Sequence, residues 1–104
     1  MNMKRLRLTL ISITLLLPLS FGLQAAGDAA AGKGKAQQCA GCHGANGEGN
    51  GTDKTTIGGM DVGKFSKSIN AYKKGERRHM MMEMFAKKLN DQDIADLAAY
   101  YAAK

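Results

Sequence analysis

Two cysteines and the histidine that follows them constrain this chain more than any other feature. They form the run Cys39-Ala40-Gly41-Cys42-His43, and the 104-residue sequence contains no other cysteine. Cys-x-x-Cys-His is the pattern for covalent attachment of haem. The two thiols can add to the two vinyl groups at the haem edge, and the histidine can turn its imidazole onto the iron. The motif predicts one haem, with Cys39 and Cys42 as thioether attachments and His43 as the proximal axial ligand of the iron.

Three other interpretations share part of this motif. A thioredoxin-like Cys-x-x-Cys belongs to an alternating strand and helix pattern, which the sequence does not show. A zinc site needs four ligands, and Cys39, Cys42, His43 and His79 formally supply them. A disulfide between Cys39 and Cys42 would be sterically tight. Haem attachment is the interpretation that accounts for all three residues of the motif.

The first 25 residues predict a secretory signal peptide. Three basic residues precede an almost wholly apolar run, residues 8–23, and small residues follow it. This order of basic, apolar and small residues is typical of a cleaved leader. We expect cleavage after Ala25 or Ala26 and export to the periplasm. The alternative is a membrane anchor, but Pro18 interrupts the run, which is shorter than the roughly 20 residues that a spanning helix needs.

Removal of residues 1–25 leaves 79 residues, 26–104, which we expect to form one domain. They carry 12 basic and nine acidic residues, a formal net charge of +3. This modest charge argues against a nucleic-acid partner, which would require a strongly basic stripe. A domain this short is marginally stable without a disulfide, metal or cofactor. A haem, which is large, flat and apolar, would supply the missing centre of the core.

Three helical segments and two loops are predicted in this domain. The helices are Asp28 to Cys39, with Asp28 as N-cap; residues 62–74, capped by Asp61 and ended by Gly75; and a last helix opened by Asn90 or Asp91. In the last helix, Ile94, Leu97, Ala98 and Tyr101 form one apolar face. Residues 44–59, rich in Gly, Asn and Thr, predict a long loop, and residues 75–88 predict a second connection. No segment has the alternating pattern of a strand, so the fold class is all-α.

A six-coordinate haem needs a second axial ligand. The candidates are His79 and the methionines of the run Met80-Met81-Met82-Glu83-Met84, with Met60 as a remoter choice. An extended chain would place Met80, Met82 and Met84 on one side and Met81 on the other. The pattern alone does not choose among the first three.

The two ends of the domain resemble class I cytochromes c, and most closely the branch of the cytochrome c553 and c4 types. The resemblance rests on Cys-Ala-Gly-Cys-His-Gly, on the loop Asn46-Gly-Glu-Gly-Asn-Gly and on the closing run Leu89-Asn-Asp-Gln-Asp-Ile-Ala-Asp-Leu-Ala-Ala-Tyr-Tyr-Ala. It implies a small class I cytochrome c fold of three to four short helices and long loops around one covalent haem. In c4-like members the ligand methionine lies seven residues before the leucine that opens the closing run, which implies Met82.

The same resemblance exposes one departure. Members of this group commonly have a proline after the glycine-rich loop, and its carbonyl accepts a hydrogen bond from the proximal histidine. The matching stretch here is Thr55-Thr56-Ile57-Gly58-Gly59, and the only proline lies in the leader. Because the contact is to backbone, the carbonyl of Thr55 can serve instead. The run from Thr56 to Phe65, followed by Tyr72-Lys-Lys-Gly-Glu, also loosely resembles the haem subunit of flavocytochrome c sulfide dehydrogenases, which implies a dedicated redox partner.

The function implied is electron transfer, without catalysis by the chain itself. With both axial positions filled, no small-molecule substrate meets the iron, and the partners are other redox proteins such as oxidoreductases, oxidases or membrane quinol-oxidising complexes. Two alternatives remain: a haem with an open distal position that binds gas or reduces peroxide, and a copper protein that collects the metal through the thioethers around His79. The membrane is a partner only if the leader is retained.

Overall fold

Short helices joined by loops make up the domain. The computed structural model describes Leu16, residues 26–52 and residues 54–104. Its elements are α1 (Ala29–Lys35), a 3-10 turn (Ala36–Gln38), α2 (Ala40–His43), α3 (Val62–Lys74), α4 (Met80–Lys87) and α5 (Asp91–Ala102). No strand occurs in these ranges, in agreement with the predicted all-α class. The predicted leader, residues 1–25, lies outside the described residues except for Leu16. No helix of the described part has the length and apolarity needed to cross a membrane.

Local capping residues set the starts of α1, α3 and α5, and the end of α3, where the sequence predicted them. The Asp28 carboxylate accepts a hydrogen bond from the Ala30 amide, at 2.9 Å. Asp61 accepts from the Lys64 amide at 3.0 Å, and Gly75 ends α3 with a φ of +73°, a conformation that favours glycine. Asn90 and Asp93 form a reciprocal capping box at the start of α5.

Two predictions about the helices need correction. The predicted single helix from Asp28 to Cys39 is divided, because the chain tightens into the 3-10 turn at Ala36–Gln38 before α2 begins. The predicted connection at residues 75–88 contains α4, an eight-residue helix. The expectation that alternate methionines of an extended chain share one side is therefore wrong, since they lie on a helix.

The first and last helices cross at very close range. A Cβ on Gly32 would overlap the backbone carbonyl oxygen of Asp96, so only glycine fits at this point of α1. The buried Asp96 carboxylate reinforces the contact, because it accepts hydrogen bonds from the Asp28 amide at 2.8 Å and the Lys35 ammonium at 2.6 Å. These two hydrogen bonds join Asp96 to residues that lie 68 and 61 positions before it in the chain.

Helix α5 lies at the centre of the core. It packs against α1 on one side and α3 on another, and α4 packs on α3. The predicted apolar face of α5 is confirmed, because its four side chains are all buried. The buried apolar residues are Ala36, Phe65, Ile69, Ala86, Leu89, Ile94, Leu97, Ala98, Tyr100 and Tyr101. This core leaves Cys39 and Met82 at its margin, where the candidate site lies.

Candidate haem site

The haem motif sits on one tight turn. The amides of Cys42 and His43 both donate to the carbonyl of Cys39, at 3.3 and 3.0 Å. This turn places the two thiols and the imidazole within a single helical repeat. Both cysteines are free thiols, so the disulfide alternative is not observed. Cys39 is half-buried against the core and Cys42 is exposed.

The two thiols therefore differ in environment. Burial raises the pKa of the Cys39 thiol, an effect that the nearby Tyr101 hydroxyl partly opposes. A buried thiol behaves largely as a small apolar group. Cys39 thus belongs to the wall of the core, whereas Cys42 faces outward from the same turn.

His43 is oriented by the loop that follows it. Its Nδ1 lies 2.7 Å from the carbonyl oxygen of Thr55. A carbonyl only accepts, so the ring donates its Nδ1 proton and the unprotonated Nε2 is available to a metal. The prediction that Thr55 replaces the usual proline carbonyl is thereby matched in the structure. The orienting contact survives without a proline because other bonds hold the loop.

Those bonds join the first part of the loop to its second part and to His43. The Thr55 hydroxyl donates to the side-chain oxygen of Asn50 at 2.7 Å. The carbonyl of Gly47 accepts from the amides of Ile57 and Gly58, both at 2.8 Å. The amide of Gly49 donates to the carbonyl of His43 itself, at 2.7 Å. The loop thus forms a hydrogen-bonded frame behind the imidazole.

Helix α4 separates the methionine candidates by exposure. Met80 is 83 % exposed, and Met81 and Met84 are each 45 % exposed. Met82 is half-buried and packs against the core. Among the four methionines of α4, Met82 is therefore the one directed toward the interior. Met60, the remoter candidate, also packs on the core but lies in the connection before α3.

His79 has a structural task that the sequence did not reveal. It is the N-cap of α4, and its Nδ1 accepts a hydrogen bond from the Met82 amide at 3.3 Å. Its own amide donates to the Glu83 carboxylate at 3.1 Å. A histidine in this role replaces the usual Ser, Thr, Asp or Asn. This exposed capping position does not favour His79 as the distal ligand.

The residues around the motif fit a haem. Five partly buried apolar side chains line the margin of the core: Cys39, Ile57, Met60, Tyr72 and Met82. Among the described helices, no extensive packing joins α2, which carries His43, to α4, which carries Met82. A flat apolar group between these helices would cover the partly exposed side chains. Within residues 26–52 and 54–104, no group of three or more His, Cys, Asp or Glu side chains could hold a metal ion, so the zinc alternative lacks a ligand set.

The family model for cytochrome c matches residues 29–102. The chain therefore belongs to the cytochrome c family, whose members carry electrons on covalently bound haem c. Cytochrome c-554(548) of Halomonas halodenitrificans is 40% identical over 82 residues, which cover 76% of this chain and 99% of that protein.

Two further relatives place the chain within the family. Cytochrome c4 of Pseudomonas aeruginosa is 39% identical over 95 residues, 91% of this chain and 47% of that protein. Cytochrome c-553 of Helicobacter pylori is 36% identical over 69 residues, 65% of this chain and 72% of that protein. The chain spans about half the length of the cytochromes c4 that it matches. These findings confirm the resemblance to the c4 and c553 branch of class I cytochromes c.

Proposed function

We propose that this chain is a periplasmic monohaem cytochrome that shuttles single electrons between redox proteins, with His43 and Met82 as the axial ligands of its iron. Cys39 and Cys42 hold the haem through thioether bonds, and His43 coordinates through Nε2. The haem supplies reversible one-electron chemistry at iron. The residues of this chain attach it, orient it and exclude water from it.

The orientation of Met82 carries this proposal. Met80, Met81 and Met84 are exposed, whereas Met82 packs on the same core margin as Cys39. The resemblance to c4-like cytochromes, in which the ligand methionine lies seven residues before the leucine that corresponds to Leu89, implies the same methionine. A thioether ligand raises the reduction potential relative to a second histidine. We therefore expect a potential above zero.

Filled axial positions favour electron transfer over catalysis at the iron. The partners are then redox proteins that approach the haem closely enough for electron transfer, including oxidoreductases, oxidases and membrane quinol-oxidising complexes of a respiratory chain. Stable association with a flavin-containing subunit is one form of such a partnership. The net charge of +3 of residues 26–104 supports neither a nucleic-acid partner nor strong general attraction to anions.

Export is part of the proposal and has its own test. The leader would be removed after Ala25 or Ala26, so the mature chain would begin at Ala26 or Gly27. The mass and the N-terminal sequence of haem-containing protein from the periplasmic fraction would show this directly. Recovery of the protein only in membranes, with the leader intact, would contradict the soluble carrier and support a tethered one.

Visible and near-infrared spectra of the holoprotein test the ligands. We expect c-type bands, the weak sulfur-to-ferric-iron band and no change with carbon monoxide. Met82→Leu should abolish the sulfur band and admit carbon monoxide. Met84→Leu is the matched control, because it makes the same change on the same helix at an exposed side chain, and it should leave both properties intact.

Each contrary result identifies a different failure. Loss of the sulfur band in Met84→Leu or Met80→Leu, and not in Met82→Leu, would reassign the distal ligand. Carbon monoxide binding by the unmodified protein would support an open distal position and overturn the carrier mechanism. Stoichiometric copper without haem bands would overturn the proposal as a whole.

A further inference from the structure

Among the described residues, the hydroxyl of Tyr101 is the one buried side-chain polar group without a hydrogen-bond partner. Tyr101 is fully buried in the core, at 0 % exposure. Its ring stacks on Phe65 with 5.7 Å between centroids and meets Tyr100 edge-on at 5.0 Å. Within the described part of the chain, the hydroxyl forms no hydrogen bond of acceptable geometry. Phenylalanine would fill the same space without burying an unpaired polar atom, and buried hydroxyl groups are normally paired.

The neighbouring tyrosine provides a direct contrast. Tyr100 is also buried on α5, but its hydroxyl donates to the carbonyl of Ala45 at 2.8 Å. The Tyr100 hydroxyl therefore serves the fold, since it ties α5 to the start of the glycine-rich loop. The Tyr101 hydroxyl has no comparable backbone partner.

The Cys39 sulfur lies near this hydroxyl but outside hydrogen-bond geometry. Cys39 packs at the margin of the cluster that contains Tyr101. Burial, and to a smaller extent interaction with Cys39, raises the pKa of the Tyr101 hydroxyl far above its usual value. The phenol therefore stays protonated at any pH near neutrality and remains a hydrogen-bond donor.

We infer that Tyr101 is a positioning and tuning residue for the haem, and that its hydroxyl donates a hydrogen bond to the Cys39 sulfur when that atom is a thioether. This inference rests on Cys39 as an attachment residue and goes beyond the carrier function. A free thiol has its own proton and is both a weak donor and a weak acceptor. A thioether sulfur has only lone pairs. Haem attachment thus removes the competing S–H proton and leaves the sulfur as an acceptor only, beside a hydroxyl that is a donor.

The contact has a defined effect on redox equilibrium. The hydroxyl presents the positive end of its dipole to the sulfur at the haem edge. This end withdraws electron density from the haem and favours the reduced form, and hydrogen bonds of this kind tune metal centres. Tyr101 therefore raises the reduction potential and fixes the attached edge of the haem against α5.

Potentiometry of holoprotein variants tests the inference. In Tyr101→Phe, the ratio of ferrous to ferric protein at a fixed poised potential should fall by about threefold, which corresponds to about 30 mV at 59 mV per tenfold change for one electron. The shift should be the same at pH 6 and pH 8, because the phenol does not ionise in this range. Tyr100→Phe is the matched control and should leave the potential unchanged while it lowers the melting temperature.

The stability of the same variants separates the two explanations of the buried hydroxyl. If the hydroxyl has no partner in the holoprotein, Tyr101→Phe will raise the melting temperature and leave the potential unchanged, and that result overturns the inference. If the hydroxyl bonds to the thioether, Tyr101→Phe will lower the potential without a gain in melting temperature. Haem bands in the unmodified protein with no shift in Tyr101→Phe would refute this inference alone and leave the carrier function standing.

Discussion

The crossing of α1 and α5 gives a prediction that can be worked from the coordinates. In Gly32→Ala the new methyl group would overlap the Asp96 carbonyl oxygen and lie 2.8 Å from the Tyr100 Cβ. Carbon atoms in favourable contact are about 3.5–4.0 Å apart. Both obstacles are held by α5, so a rotamer change cannot relieve the overlap. The two helices must separate.

The expected cost follows from the size of this overlap. Overpacking of a close-packed core costs typically about 1–3 kcal/mol, and the higher helix propensity of alanine returns up to about 1 kcal/mol. Separation of the helices also draws the Asp96 carboxylate away from Lys35 and the Asp28 amide, which adds to the loss. We expect a net destabilisation of about 2 kcal/mol, equivalent to a fall of roughly 8–16 °C in melting temperature for a domain of this size.

Gly34→Ala is the matched control on the same helix. A Cβ at Gly34 would meet nothing within 4 Å, so the substitution should stabilise the domain by about 0.5–1 kcal/mol. Guanidinium unfolding of each holoprotein, followed by circular dichroism, measures both changes. If Gly32→Ala and Gly34→Ala have the same stability within about 0.5 kcal/mol, the close crossing of α1 and α5 is refuted.

Three further predictions concern single side chains. The pKa of Asp96 is lowered from 3.8 to about 2 by hydrogen bonds from Lys35, the Asp28 amide and the Gln92 side-chain amide. Ionised Asp96 therefore stabilises the fold above about pH 4, and the free energy of unfolding should fall as the pH is lowered toward 2. In unfolding titrations, Asp96→Asn should reduce this acid dependence and lower the stability at pH 7. Asn90→Ala removes the capping box of α5 and should cost about 1 kcal/mol, measured as a lower melting temperature; an unchanged value would contradict the cap. Thr55→Val removes the hydroxyl bond to Asn50 and should cost about 1 kcal/mol. It should also raise the reduction potential, because a less firmly held Thr55 carbonyl weakens the hydrogen bond from His43 Nδ1 that makes the imidazole a better electron donor. An unchanged potential would show that the Thr55 hydroxyl does not influence His43.

The helices that the sequence predicted well carry their own end signals. Asp61 and Gly75 bound α3, and Asn90 starts α5, at the predicted residues. These signals act through the glycine conformation and through hydrogen bonds to residues three or four positions away, so they can be read without knowledge of the tertiary structure. The Thr55 carbonyl was also predictable, because the histidine needs only a backbone acceptor.

Helix α4 was missed because its capping residue is unusual. No Ser, Thr, Asp or Asn precedes Met80, and the ring of His79 takes their place. The high helix propensity of methionine was the signal available. The division of the first helix at Ala36–Gln38 and the burial of the Tyr101 hydroxyl depend on contacts with distant parts of the chain, which no local pattern contains.

The contact between α1 and α5 also sets how freely the intervening chain can vary in length. Lys35 and Asp96 are 61 residues apart, so everything between them forms one loop closed by a non-covalent clamp. The entropy of closing a loop grows only with the logarithm of its length. Eight residues inserted beside Gly51, where a Cβ would meet nothing within 4 Å, would add only about 0.1 kcal/mol to the closure cost. The contact between α1 and α5 therefore restricts substitutions at the two helices, but it places almost no restriction on the length of the segment between them.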